Sequence, residues 1–414
     1  MDLQIIPKKL SGAVTPPPSK SQAHRLLIAA ALSGGVSVLH GLAESQDIQA
    51  TRRCLIALGA GMEDLPDGGL RVHGLGHGIV MAPPYALLDC GESGSTLRFL
   101  IPVALLVQGE ASFTGRGRLM ERPLKPYEDL FREKGVAWKL EDHILTVNGG
   151  RGYDALALDP GVYRLPGNVS SQFFTGLLFV LPLLNGDSTL VSTTPLESRD
   201  YLEMTRQALA AAGVTTRWAD ENTLCVPGGQ TYQPFEAAVE ADWSQAAFWY
   251  AADFLDSRVD IRGLNPDSAQ GDKVVSELYW KLARPGDAEI DVSGCPDLLP
   301  PLAVMAAVRS GTTRFVNAAR LRMKESDRLS TTAAALAALG GRAEEGPDFL
   351  TVHGGPLTGG TVDSANDHRI AMAAAIAATG CTGPVTIRGA ECVQKSYPDF
   401  WEVYRSLGGD IHVL

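Results

Sequence analysis

One pattern recurs six times along the chain: a junction of small polar residues opens an apolar helix, which ends in a glycine or small polar turn and gives way to a β-rich run. The junctions are Lys20-Ser21-Gln22, Ser93-Gly94-Ser95, Ser170-Ser171-Gln172, Trp243-Ser244-Gln245, Pro296-Asp297 and Asp367-His368-Arg369. The helix bodies that follow, such as Leu26 to Leu32 and Phe173 to Leu184, have little polar face. A helix apolar nearly all round is normally buried. The strand-like stretches begin near Gly35, Gly109, Gly186, Ser257, Gly311 and Gly383. They lie roughly 70 residues apart, with a shorter fourth interval, and a period that long favours a few compact subdomains over a solenoid.

A second, amphipathic helix follows most of these strands, with apolar residues returning at helical spacing in Ile48, Leu55, Leu58 and in Leu124, Tyr127, Phe131. Hairpins are expected around Gly68-Gly69 and Gly149-Gly150. Each unit therefore reads strand, helix, two strands, helix.

With 414 residues, 45% of them hydrophobic and 20% charged, the composition is that of an ordinary soluble globular protein. The net charge of −11 argues against nonspecific binding to nucleic acid or anionic membrane. The longest apolar run, Phe173 to Leu184, falls short of the ~20 residues that a transmembrane helix needs. No basic region leads an apolar segment at the N-terminus, so the cytoplasm is the expected compartment. Six dispersed cysteines show no CxxC spacing, which leaves reduced thiols and no metal as the expectation. Neither a Walker loop nor a strand-linked GxGxxG is present, so no cofactor is expected. A monomer is the default, since the sequence does not specify an oligomeric state.

Although the overall charge is negative, cations gather at the element junctions: Lys20, Arg25, Arg98, Arg122, Lys324, Arg328, Arg369 and Lys395. A helix N-terminus already offers unpaired N–H groups and about half a positive charge. Ser hydroxyls with Lys or Arg beside it complete an anion site. Ser and Asp there are also ordinary N-caps, but capping requires no cation at a helix start, where the dipole disfavours one. Further charged junctions read Glu121-Arg122-Pro123, Glu197-Ser198-Arg199-Asp200, Lys324-Glu325-Ser326-Asp327-Arg328 and Lys395-Ser396-Tyr397-Pro398-Asp399. Asp297 heads an apolar helix, either as an N-cap or as a general base in a site poor in water.

Seven ordered segments together resemble the 5-enolpyruvylshikimate-3-phosphate synthase family. They are Pro18 to Arg25, Gly91 to Arg98, Glu121 to Leu124, Val169 to Phe173, Arg322 to Arg328, Asp367 to Arg369 and Lys395 to Asp399. The resemblance spans nearly the whole chain. It implies an α/β (α+β) fold of two globular domains, each of three repeated βαβαββ units with buried helices and mixed sheets, and a ligand site in the cleft between the domains. The first residues then belong with the C-terminal half: residues 1–17 plus 239–414 form one domain and 18–238 the other, with hinges near 17 and 239.

The family transfers the enolpyruvyl group of phosphoenolpyruvate to the 5-hydroxyl of shikimate 3-phosphate and releases phosphate. Carried over by motif, the resemblance places shikimate 3-phosphate against Lys20, Ser21, Arg25, Ser170, Ser171, Gln172, Ser198, Asp297 and Lys324. It places phosphoenolpyruvate against Lys20, Gly94, Arg122, Gln172, Arg328, Arg369 and Lys395. The implied mechanism is addition and elimination through a tetrahedral intermediate, with Asp297, Glu325, Lys20 and Lys395 catalytic. Arg suits a carboxylate because its planar fork binds bidentately, which Lys cannot do.

Two departures stand out. Ser95-Thr96-Leu97 replaces the Thr-Ala-Met of many relatives, and Arg320 stands where some carry Asn. Two alternatives compete with the shikimate reading. One is the related UDP-N-acetylglucosamine enolpyruvyl transferase family, disfavoured because Thr114 to Pro126 contains no cysteine. The other is a noncatalytic phosphometabolite-binding protein, disfavoured by the presence of both Asp297 and Glu325.

Overall fold

A computed structural model describes residues 1–76, 87–150 and 158–414. The chain divides into two compact units, Met1–Pro17 with Ala241–Leu414, and Pro18–Glu240. Each has its own hydrophobic core.

All six apolar segments form helices: Lys20–Ala31, Gly94–Gln108, Gln172–Val180, Trp243–Phe254, Leu299–Val308 and His368–Ala378. Burial follows from composition. In Gly94–Gln108 nearly every side chain is buried, including Phe99, Leu100 and Ile101. Fully burying a side chain of that size contributes about 1.5–3 kcal/mol. Gly176 shows how tightly these helices pack, because a Cβ there would lie 2.3 Å from the Tyr127 hydroxyl and 2.6 Å from the Arg98 carbonyl oxygen.

The sheets repeat one plan. Leu87–Asp89 runs parallel to Glu110–Thr114, which pairs antiparallel with Ile144–Asn148, itself antiparallel to Ala137–Glu141. Val162–Leu165, Ser188–Ser192, Thr223–Val226 and Arg217–Trp218 repeat this order. The remaining sheet of the inserted unit is closed by the unit's last strand, Glu236–Ala238, running parallel to its first, Val36–His40. In four of the sheets the chain passes between the parallel strands through an apolar helix; between the second strand and the hairpin it passes through an amphipathic one, such as Gln46–Ala57 or Lys125–Glu133.

In the terminal unit, Ala288–Asp291 and Gly360–Asp363 each open a four-stranded sheet of the same order. Leu3–Ile6 supplies an inner strand of the second one. The remaining repeat departs from the plan: among the described residues, Ser11–Val14 pairs only with Arg258–Ile261. The short fourth interval explains this, because the chain runs from the helix Val275–Ala283 directly into Ala288–Asp291 and has no residues for a hairpin.

The hairpin expected at Gly149-Gly150 turns earlier, at Asp142-His143, whose φ values of 49° and 60° form a tight left-handed turn. Asp tolerates that region through its short polar side chain, so the turn needs no glycine. None of the helices among the described residues is long and apolar enough to cross a membrane.

Candidate active site

In the inserted unit, Ser19, not Ser21, caps the first helix, its Oγ accepting from the Gln22 N–H at 3.4 Å. Lys20 then points to Asp47, with Nζ and Oδ2 2.8 Å apart. Arg25, one turn on, is fully buried. It donates to Thr205 Oγ1 at 2.9 Å and to the carbonyls of Ser21 and Tyr201 at 2.5 and 3.0 Å. No carboxylate pairs with Arg25 among the described residues, and burial lowers its guanidinium to about 10. A buried cation with only neutral acceptors favours an incoming anion.

Gly94 begins the second buried helix beneath Arg122. A Cβ on Gly94 would lie 2.9 Å from Arg122 Nη1 and 3.0 Å from Cζ, so only glycine lets the guanidinium sit this close to the backbone. At the third helix start, Ser170 Oγ accepts from the Gln172 N–H at 3.3 Å. The Gln172 side chain accepts from Arg98 Nη1 at 2.7 Å and donates to Ser95 Oγ at 2.9 Å. Ser171 is buried beside it. Arg98, read from sequence only as a junction cation, therefore orients Gln172. Ser198 opens the helix Arg199–Ala211 with φ 54° and ψ 47°, a left-handed conformation unusual for a residue with a side chain. Its hydroxyl does not cap that helix.

The terminal unit gathers Lys324, Arg328 and Arg369 around Asp297. That residue lies in the 3-10 turn Pro296–Leu298 ahead of the helix Leu299–Val308, and it does not act as the helix cap. Its Oδ1 accepts from Arg328 Nη1 at 2.7 Å and Lys324 Nζ at 3.4 Å, and its Oδ2 from Arg369 Nη2 at 3.0 Å. Arg328 is shared among three carboxylates, reaching Glu325 at 2.6 Å through Nη2 and Asp367 at 2.8 Å through Nε. Burial alone would lower its pKa, but Asp367, Glu325 and Asp297 together raise it, so its charge is permanent. Lys324 behaves oppositely: although about a quarter of its side chain is exposed (24%), burial outweighs Asp297 and pushes the ammonium down to about 8. Lys395 is buried and donates to the Asn366 carbonyl at 2.6 Å.

The junction Asp242-Trp243-Ser244-Gln245 carries no cation of its own. Structurally it is joined to one: Arg369 Nη2 donates to Ser244 Oγ at 2.9 Å, and Ser244 donates to Asp242 Oδ1 at 2.6 Å. Asp367 was missed as the partner of Arg328, being recognisable from sequence only as a helix cap, a role it also fills by accepting from the Arg369 N–H at 3.0 Å. Arg320 donates to the Ser293 carbonyl.

Each unit thus presents buried cations and hydroxyls at helix starts, the equipment of an α/β protein that handles multiply charged small anions. The chain matches the family described as EPSP synthase (3-phosphoshikimate 1-carboxyvinyltransferase) over residues 5–404. It is 44% identical to the 3-phosphoshikimate 1-carboxyvinyltransferase of Clostridium kluyveri, covering 99% of this chain and 98% of the relative. The enzyme of the same name from Clostridium novyi is 41% identical over the same shares. The solved EPSP synthase of Acinetobacter baumannii superposes with a TM-score of 0.79 at 25% identity, covering 100% of both chains. The chain belongs to the EPSP synthase family.

Proposed function

We infer that this chain transfers the enolpyruvyl group of phosphoenolpyruvate to the 5-hydroxyl of shikimate 3-phosphate and releases inorganic phosphate. Family membership supplies the reaction. The observation that supports the assignment of its parts is the seat of Asp297, within hydrogen-bonding range of the two arginines, Arg328 and Arg369, suited to a carboxylate.

In this reading Ser170, Ser171, Ser198 and Lys324 receive the shikimate phosphate, while Ser21, Arg25, Gln172 and Asp297 surround the ring. Arg328 and Arg369 bind the phosphoenolpyruvate carboxylate. Lys20, Gly94, Arg122, Gln172 and Lys395 receive its phosphate. Asp297 takes the proton of the 5-hydroxyl as that oxygen bonds to the central carbon of phosphoenolpyruvate, and the methylene carbon gains a proton. The tetrahedral intermediate then loses a proton from the new methyl group as its carbon–oxygen bond to phosphate breaks. Glu325, with Lys20 or Lys395, is assigned those two proton transfers at carbon. Fixed cations stabilise the departing phosphate, the kind of electrostatic term that dominates many enzymes.

Each substrate draws on residues of both units, so both are needed for either anion to be fully neutralised. Ligand should therefore draw them together. Small-angle scattering should show compaction on adding shikimate 3-phosphate, and an unchanged profile would count against this division of the site. The reading includes a cytoplasmic monomer; all six cysteines are free thiols, in keeping with a reducing compartment. Offering the protein phosphoenolpyruvate with either shikimate 3-phosphate or UDP-N-acetylglucosamine tests the acceptor. Consumption only with the former is expected, and consumption with the sugar nucleotide would transfer the assignment to the related transferase.

A further inference from the structure

The Lys20 ammonium and the Gly94 backbone sit on different helices and are connected through one buried pair of hydroxyls. Thr51 Oγ1 and Thr96 Oγ1 lie 2.7 Å apart, both residues fully buried. Thr96 is tied on each side. Its hydroxyl donates to Ser93 Oγ at 2.8 Å and its N–H to the same atom at 3.1 Å, and Ser93 caps the helix that begins at Gly94. Thr51 lies 2.7 Å from His24 Nδ1, one turn beyond Lys20 on the first helix. Burial, reinforced by Lys20 and Arg25, holds His24 well below the ordinary imidazole value, so the ring is neutral. The contacts fit one polarity, in which His24 Nδ1–H donates to Thr51, Thr51 to Thr96, and Thr96 to Ser93, with the buried His24 Nε2 left without a partner among the described residues. Asp47, the partner of Lys20, lies in the first turn of the helix carrying Thr51.

We infer that Thr96 is a positioning residue for the enolpyruvyl donor, fixing Gly94 and the Arg122 guanidinium above it relative to Lys20. The inference rests on the proposed function. Its physical basis is the contact at Gly94, where a Cβ would already lie 2.9 Å from Arg122, so a displaced helix start displaces the guanidinium too. Apolar packing alone fixes such a start less sharply than two hydroxyl bonds whose partners become unsatisfied if they move. Valine would fill the same volume as threonine without those bonds.

The test compares kcat and both KM values for Thr96→Val, Thr51→Val and Thr96→Ser. Thr96→Val should raise KM for phosphoenolpyruvate about tenfold, as expected for a buried hydrogen bond lost at the donor site, with KM for shikimate 3-phosphate within about twofold. Thr96→Ser, which keeps the hydroxyl, should restore most of the difference. Thr51→Val cuts the same pair from the other helix and carries the test if Thr96→Val does not fold. A merely structural role would lower the melting temperature or the active fraction without separating the two KM values. Unchanged KM for phosphoenolpyruvate in both valine variants, or parallel rises for both substrates, would overturn the inference. Absence of phosphate release by the unaltered protein would overturn the proposed function and the inference with it, an outcome visible before any variant is made.

Discussion

Arg328 Nη1 donates to Asp297 Oδ1 across 2.7 Å, while Arg369 Nη2 holds the other oxygen of the same carboxylate at 3.0 Å. The proposed base thus occupies the two guanidinium groups proposed for the substrate carboxylate. Phosphoenolpyruvate must take over those donors from Asp297, and the exchange frees the carboxylate to accept a proton. An internal carboxylate keeps the cations assembled and partly neutralised before substrate arrives.

Asp297→Ala should therefore separate binding from chemistry. Turnover is expected to fall by about 10²–10⁴-fold, the range for a lost acid–base group. Affinity for shikimate 3-phosphate should stay within about tenfold, and phosphoenolpyruvate, relieved of its internal competitor, should bind at least as tightly as before. Single-turnover rates with calorimetric Kd values check this. Near-normal turnover would remove Asp297 from the catalytic role.

Lys324 should give shikimate 3-phosphate binding a dependence on pH. Burial pushes its ammonium down to about 8, below the ordinary lysine value of 10.5. A bound phosphate stabilises the charged form, so above pH 8 binding must take up a proton and Kd should rise, approaching tenfold per pH unit. The stability effect has the opposite sign from that of a lysine whose pKa is raised on folding. Between about 8 and the unfolded value the unfolded chain binds more protons, so the contribution of Lys324 to stability grows as pH rises through that window. Lys324→Met should abolish the alkaline weakening of binding.

Gly94→Ala should act on the donor alone. The added methyl would meet the Arg122 guanidinium at 2.9–3.1 Å, and the flexible arginine would yield. KM for phosphoenolpyruvate is expected to rise about tenfold, the effect of weakening one charge-assisted contact, while KM for shikimate 3-phosphate is unchanged. Equal effects on both substrates would place Gly94 elsewhere.

Arg25→Met should weaken shikimate 3-phosphate binding about 100-fold or more, consistent with loss of a desolvated charge at the site. The melting temperature should fall little or rise, because the methionine removes a buried charge held only by neutral acceptors. Thermal denaturation with and without ligand measures both effects.

The helix starts were legible in sequence because apolar bodies, small polar junctions and cations are local signals. The shortness of the fourth unit was legible too, in the interval before Gly311, but not that the shortening removes its hairpin. Partnerships formed by tertiary packing were not. Thr175 and Thr205 reach Arg25 from 150 and 180 residues away, and Ser244 meets Arg369 across 125. A hydroxyl without a neighbouring charge gives no local sign that it will face one. Asp367 misled in the other direction, because its visible role as a cap concealed its bond to Arg328.

The most direct test is inorganic phosphate release on mixing the protein with phosphoenolpyruvate and shikimate 3-phosphate, each alone and both together. Phosphate should appear only with both, in amounts equal to the enolpyruvyl ether formed, and its release should slow by about 10²–10⁴-fold in Asp297→Ala. Binding of both substrates without phosphate release by the unaltered protein would contradict the assignment.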